Sequence, residues 1–117
     1  RVVAMPRDTN AHGTIFGGYI LSLIDQGGAI AAHRIGARTV VTIAMNEVVF
    51  RNPVRVGDIV SCYAEVLKVG NTSVTVRVWV ETVRPGNLSA YQPVTVADVV
   101  YVNVDNENRP LPIPRPR

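Results

Sequence analysis

Asp25 sits in an apolar stretch, flanked by Leu23 and Ile24 and followed after Gln26 by Gly27-Gly28. A carboxylate carried into apolar surroundings costs far more than one left in water, so its position demands a partner or a use. Two readings meet that demand: a structural contact with an arginine or with strand amides, or a carboxylate employed in catalysis. Gly17-Gly18 lies upstream. Paired glycines cost a helix about 1 kcal/mol each relative to Ala, but they let another group come close to the backbone. At a helix start, free amides and the positive dipole end can polarise a carbonyl or hold an oxyanion; tight packing of the helix start on a sheet would also call for small residues there.

The two features constrain one another. Asp25 lies about 12 Å beyond Gly17 along a helix axis at roughly 1.5 Å per residue. One reacting carbon cannot be close to both. If both act on one substrate atom, they come from different subunits, and the catalytic reading predicts a dimer with composite sites. Asn10 adds an amide able to donate to an oxygen or hold a water, although Asp8-Thr9-Asn10 is also an ordinary turn sequence. His12 and His33 do not stand in a metal-ligand pattern, and no metal centre is expected; His12 leaves open a dehydratase chemistry. Cys62 falls within a strand pattern and reads as an inert small hydrophobe. Asn87-Leu88-Ser89 fits a glycosylation sequon that carries no weight in an intracellular chain.

These residues need elements to position them. From Gly17 to Ile35, Ile20, Leu21, Ile24, Gly28, Ala31 and Ile35 recur at three- and four-residue spacings, the period of a helix. Leu23, Ala29, Ile30 and Ala32 make it apolar nearly all round, which predicts an enclosed helix. Strands dominate the remainder. Between Ser73 and Thr82, Val74, Val76, Val78 and Val80 alternate with Thr75, Arg77, Trp79 and Glu81, and Ile59 to Lys68 alternates similarly through Val60, Cys62, Ala64 and Val66. Gln92 to Val104 is almost continuously β-branched, and Thr39 to Phe50 makes a fourth strand, with a short edge at Val2 to Met5. Turn residues at Asn52-Pro53, Gly57-Asp58, Gly70-Asn71 and Pro85-Gly86-Asn87 predict antiparallel connections, a meander or a close variant of one. The expected architecture is α+β: one long helix wrapped by a curved antiparallel sheet of about five strands, in a single domain over 1–108. The tail 109–117, with Pro110, Pro112, Pro114 and Pro116, should be extended.

The 117 residues suffice for one compact core and not for two. With 47% hydrophobic and 18% charged residues, the chain is neither disordered nor heavily solvated. No apolar run reaches the length of a membrane span, and no basic leader precedes a short apolar stretch, so a membrane or secreted protein is not expected. The net charge of +3 invites a nucleic-acid reading. Five of the 12 basic residues, Arg1, Arg7, Arg109, Arg115 and Arg117, lie at the ends, leaving seven against nine acids in the body. Without a basic face or interleaved aromatics, nucleic acid is not the expected partner. A lone cysteine permits no internal disulfide, and a cytoplasmic protein is the simplest expectation.

The run AMPRDTNAHGTIFGGYILSLIDQGGAIAA, Ala4 to Ala32, closely resembles the N-terminal signature of the hotdog-fold acyl-CoA thioesterases, in particular the bacterial YciA-like group related to cytosolic brain-type acyl-CoA hydrolases. The likeness continues through VVTIAMNEVVFRNPVRVGDIVSCYAEVLKVGNTSVTVRVWVE to Glu81, and VTVADVVYVNVD also suits the family. The resemblance implies acyl-CoA hydrolysis to free CoA and a carboxylic acid in paired hotdog subunits that assemble further into homohexamers, with no cofactor beyond the coenzyme A of the substrate. By position it assigns catalysis to Asp25, with Asn10 from the opposite subunit and the Gly17 and Gly18 backbone at the thioester. It also places Gly70, Asn71, Thr72 and Ser73 near the pantetheine and diphosphate. His12 departs from the family pattern, where a small or amide residue is common. A hotdog hydratase or dehydratase using His12, or a non-catalytic acyl-CoA sensor, are the competing functions.

The implied chemistry is physically sound. The leaving thiolate belongs to a thiol of pKa about 8.5, far below an alcohol, so a modest catalyst suffices. Asp25 would attack the acyl carbon or deprotonate a water, with the Gly17 or Gly18 amide and Asn10 stabilising charge on oxygen. Tyr19, Met45 and Phe50 are candidates to close the acyl pocket, and chain-length preference is set there.

Overall fold

The computed structural model describes residues 1–114; Arg115, Pro116 and Arg117 of the expected tail lie outside the described residues. One α-helix, α1 (Gly17–Arg34), follows a two-residue strand β1 (Val2–Val3) and a 3-10 turn (Pro6–Asp8). Four long strands follow: β2 (Val40–Asn46), β3 (Ile59–Val69), β4 (Ser73–Arg84) and β5 (Asn87–Asn103). They form one antiparallel sheet in the order β1-β3-β4-β5-β2.

Helix α1 begins where Phe16, in an extended conformation, releases the backbone into Gly17, and it ends at Ile35 with Gly36 at φ 111°, a geometry that costs glycine nothing. Ile20, Ile24, Gly28 and Ala32, each four residues apart, form its buried stripe. The sheet wraps the helix as expected, but not on every side within one chain: the stripe is fully covered, Leu21, Leu23, Ala29 and Ala31 are partly covered, and Ile30 on the far side is 57% exposed. Against the stripe lies the inner face of β4, where Val74, Val76, Val78 and Val80 are buried, joined by Val94, Ala97, Val99 and Tyr101 of β5. The alternation from Ser73 to Thr82 therefore sorts the strand's side chains as read. On the outer face Tyr63 stacks on Trp79 with ring centroids 5.6 Å apart.

Strands β3, β4 and β5 are joined by hairpins, as the turn residues predict, but β2 and β3 are not neighbours. After Asn46 the chain turns at Glu47, with φ 48°, and residues 47–58 carry it from the β2 edge across the sheet to β3, which lies beside the opposite edge strand β1. Hydrogen bonds fasten this crossover on the way: Arg51 N–H donates to the Val94 carbonyl (2.8 Å), the Thr95 hydroxyl to the Val49 carbonyl (2.8 Å), and Ile15 N–H to the Val54 carbonyl (2.8 Å). β2 therefore ends four residues before Phe50, the limit expected from the sequence, and β5 begins at Asn87 instead of Gln92.

Asn103 ties the end of β5 to the segment that follows. Fully buried, it accepts the N–H groups of Arg38 (2.9 Å) and Thr39 (3.4 Å) and donates to the carbonyls of Leu111 (3.2 Å) and Pro112 (3.4 Å). The Ile113 side chain is buried in the core, and its N–H donates to the Asn71 carbonyl (2.8 Å).

Candidate active site

Asp25 is half-buried midway along α1, on the side that faces β2. It is not the deeply buried carboxylate its apolar neighbours suggested, because β2 is an edge strand and leaves that flank of the helix accessible. The Thr42 hydroxyl of β2 donates to Asp25 Oδ1 at 2.6 Å. This is the contact that justifies the carboxylate: neither an arginine nor a strand amide, but a neutral hydroxyl that supports its charge and fixes its rotamer. No hydrogen bond engages Asp25 Oδ2 among the described residues. The backbone carbonyl of Asp25 is also held, by the hydroxyl of Tyr101 at 2.7 Å. Neither Thr42 nor Tyr101 stands out in the sequence, since each sits inside a β-branched strand pattern.

At the start of α1, the Gly17 and Gly18 N–H groups have no acceptor among the described residues, as the first turn of a helix dictates. A side chain on Gly17 would point at the Phe50 ring, 3.6 Å away, and one on Gly18 would collide with Phe16. A cavity of about 300 Å³ opens beside Gly17, lined by Thr14, Ile20, Phe50, Asn52 and Val54 among others. Of the residues expected to close an acyl pocket, Phe50 borders this cavity, while Tyr19 and Met45 pack against the core.

Asn10 organises the loop that leads into the helix. Its Oδ1 accepts His12 N–H (2.8 Å) and Thr14 N–H (3.3 Å), and its Nδ2 donates to the Thr14 hydroxyl (2.9 Å). The turn reading of Asn10 thus describes it within a single chain. His12 is exposed on the same loop, and His33 Nδ1 lies 2.9 Å from the Ala37 carbonyl at the other end of the helix. Gly70, Asn71, Thr72 and Ser73 form the tight β3–β4 turn, closed by Gly70 N–H to the Ser73 carbonyl (2.8 Å); the Thr72 carbonyl accepts Asn103 N–H (2.8 Å). Cys62 packs under α1, its thiol 3.7 Å from the Leu23 carbonyl, and burial pushes its pKa up, as befits a packed hydrophobe and not a nucleophile.

Within one chain, then, Asp25 and Thr42 come together, while Gly17-Gly18 and Asn10 make no hydrogen bond to either. Residues 12–87 match the family model described as the thioesterase superfamily. The chain belongs to the thioesterase superfamily. Among curated thioesterases it is 44% identical over 116 residues to the acyl-CoA thioester hydrolase YciA of Salmonella typhimurium, covering 97% of this chain and 87% of that protein. Among solved thioesterases it matches a hexameric hotdog fold thioesterase of Campylobacter jejuni at 50% identity and a TM-score of 0.88, covering 97% of this chain and 86% of that one. It also matches a hexameric broad-specificity acyl-coenzyme A thioesterase, solved as an aspartate-to-alanine mutant, at 43% identity and a TM-score of 0.92, covering 97% and 84%. The likeness to hotdog thioesterases read from Ala4 to Glu81 holds for family and fold alike. No helix of this thioesterase is long and apolar enough to cross a membrane, among the described residues.

Proposed function

We propose that this protein hydrolyses acyl-CoA thioesters to free CoA and a carboxylic acid at sites assembled between two copies of the chain, in the cytoplasm and as a hexamer like its solved relatives. One observation carries the reading: a carboxylate on the accessible flank of α1, braced on one oxygen by Thr42 and free on the other. The superfamily and its acyl-CoA hydrolase members give that carboxylate a reaction.

Asp25 of one copy meets the acyl carbon, while the Gly17 and Gly18 amides and Asn10 of the other receive the thioester oxygen. The separation of Asp25 from the helix start, about 12 Å along one axis, is what requires two copies. Thr42 holds Oδ1, so Oδ2 is the reacting oxygen. In one route Oδ2 attacks the acyl carbon, the carbon–sulfur bond breaks, the CoA thiolate departs, and water hydrolyses the resulting anhydride. In the other, Oδ2 takes a proton from water as that water attacks, and the same bond breaks. In both, charge gathers on the carbonyl oxygen, where unpaired amides at a helix start stabilise it most. No cofactor enters either route. In the β3–β4 turn, Gly70 to Ser73, the Asn71 amide and the Thr72 and Ser73 hydroxyls are the donors for the pantetheine and diphosphate.

Steady-state hydrolysis of a panel of acyl-CoA chain lengths by the parent protein and by Asp25→Asn tests the reading. Turnover that collapses in the variant upholds it. Absence of turnover in a folded oligomer overturns it in favour of a sensor, and activity on enoyl-CoA lost in His12→Ala would favour a hydratase.

A further inference from the structure

Tyr101 is 1% exposed, and its hydroxyl reaches the backbone of α1. The hydroxyl donates to the Asp25 carbonyl at 2.7 Å. The sequence makes room for it: a side chain at Gly28 would occupy the space of the hydroxyl and approach the ring carbons Cζ and Cε2 to 2.9 Å. Gly28 is thus explained by Tyr101, and the Gly27-Gly28 pair after Asp25 is no longer idle.

The same register links this tyrosine to the other contact of Asp25. Thr42 of β2 and Tyr101 of β5 are direct cross-strand partners, and the β2 ladder shifts register immediately after Thr42. One strand pair therefore grips Asp25 twice, at its carboxylate through Thr42 and at its carbonyl through Tyr101. We infer that Tyr101 is a positioning residue for hydrolysis, whose hydroxyl sets the backbone at Asp25 so that the oxygen left free by Thr42 faces the acyl carbon. This rests on the catalytic reading of Asp25 above. Burial, and then the nearby Asp25 charge, drive the phenol pKa upward, so the hydroxyl stays a proton donor wherever the enzyme works.

Tyr101→Phe tests it. The ring stays in the core, so the fold is kept while the hydroxyl's hold on the Asp25 carbonyl is removed. The expected result with acyl-CoA is a kcat lowered about tenfold or more with KM held within about twofold, because only the reacting geometry has moved. In an Asp25→Asn background the same change should alter the residual rate by less than about twofold, since it acts through Asp25, whereas general structural damage would multiply in both backgrounds. A kcat within about twofold of the parent, or an equal loss in both backgrounds, overturns the positioning role while leaving Asp25 catalytic. Full activity in Asp25→Asn alone overturns the catalytic reading itself, and Tyr101 with it. Circular dichroism and thermal melting of each variant confirm that folded protein is compared.

Discussion

The hydroxyl of Thr42 and the carboxylate of Asp25 meet at 2.6 Å although they come from different elements, an edge strand and the helix the sheet wraps. That hydrogen bond turns an apolar-sequence anomaly into an oriented carboxylate. Thr42→Val keeps the shape and removes the donor. A hydrogen bond to a charged group is worth about 1.5–3 kcal/mol, so acyl-CoA hydrolysis should fall roughly 10- to 100-fold, with Thr42→Ser retaining most of the rate. Steady-state kinetics on the two variants, side by side, is the check; equal losses in both would refute an orienting hydroxyl.

Gly28→Ala should destabilise the fold. The added methyl meets the buried Tyr101 side chain, which cannot withdraw without disturbing the core. Overpacking of this kind costs about 1–3 kcal/mol, and a domain of this size responds with a melting temperature lower by several degrees per kcal/mol. Thermal melts of the parent and Gly28→Ala should show it, and an unchanged midpoint would contradict the packing described.

Asn103→Asp should loosen the segment after β5. The Arg38 and Thr39 amides would keep an acceptor, but the Leu111 and Pro112 carbonyls would face an oxygen in place of an N–H donor. Leaving buried carbonyls unpaired costs about 1–3 kcal/mol each, with a buried charge added. Urea unfolding should record a loss of that order, and limited proteolysis should cut the segment near residues 109–114 faster than in the parent.

Acid weakens two surface contacts in a definite direction. The hydrogen bond from Arg77 holds the Asp98 pKa below the usual carboxylate range, and the N–H groups of Arg109 and Glu107 do the same for Asp105. A carboxyl whose folded pKa is depressed contributes stability that is fully present above its unfolded pKa of about 3.9 and is lost as pH falls through the folded value. Both groups are solvent-screened, so the effect near neutrality is small. An NMR titration should find the Asp98 pKa raised in Arg77→Ala and the Asp105 pKa unmoved; a static Asp98 would remove Arg77 as the cause.

Local pattern carried a large part of this fold. Three-four spacing located α1 within a residue of its end, and strict alternation in β4 sorted Val74, Val76, Val78 and Val80 inward. Periodicity describes one element at a time, however, and sheet order belongs to none of them. The crossover at 47–58 looked like a turn because Asn52, Pro53 and Gly57 are turn residues, yet it spans the sheet. Asp25 was legible because a carboxylate among apolar residues is conspicuous. Thr42, Tyr101 and Asn103 were not, because threonine and tyrosine are ordinary strand residues and one amide in a β-branched run has no periodic signature. Ile30, expected to be enclosed, is open in a single chain for a related reason: an all-round apolar helix predicts cover without saying which molecule provides it.

The placement of β2 at the sheet edge also has a temporal meaning. β3, β4 and β5 can zip together through short hairpins, but β2 hydrogen-bonds only to β5 within the sheet, with Val40 facing Asn103. Contacts between such distant positions form late, after loop closure has been overcome. During synthesis, therefore, Thr42 waits beside its helix without a seat until β5 has left the ribosome. A nascent chain halted before β5 would carry Asp25 and Thr42 but no strand to bring them together, so the carboxylate gains its brace only once β5 is in place.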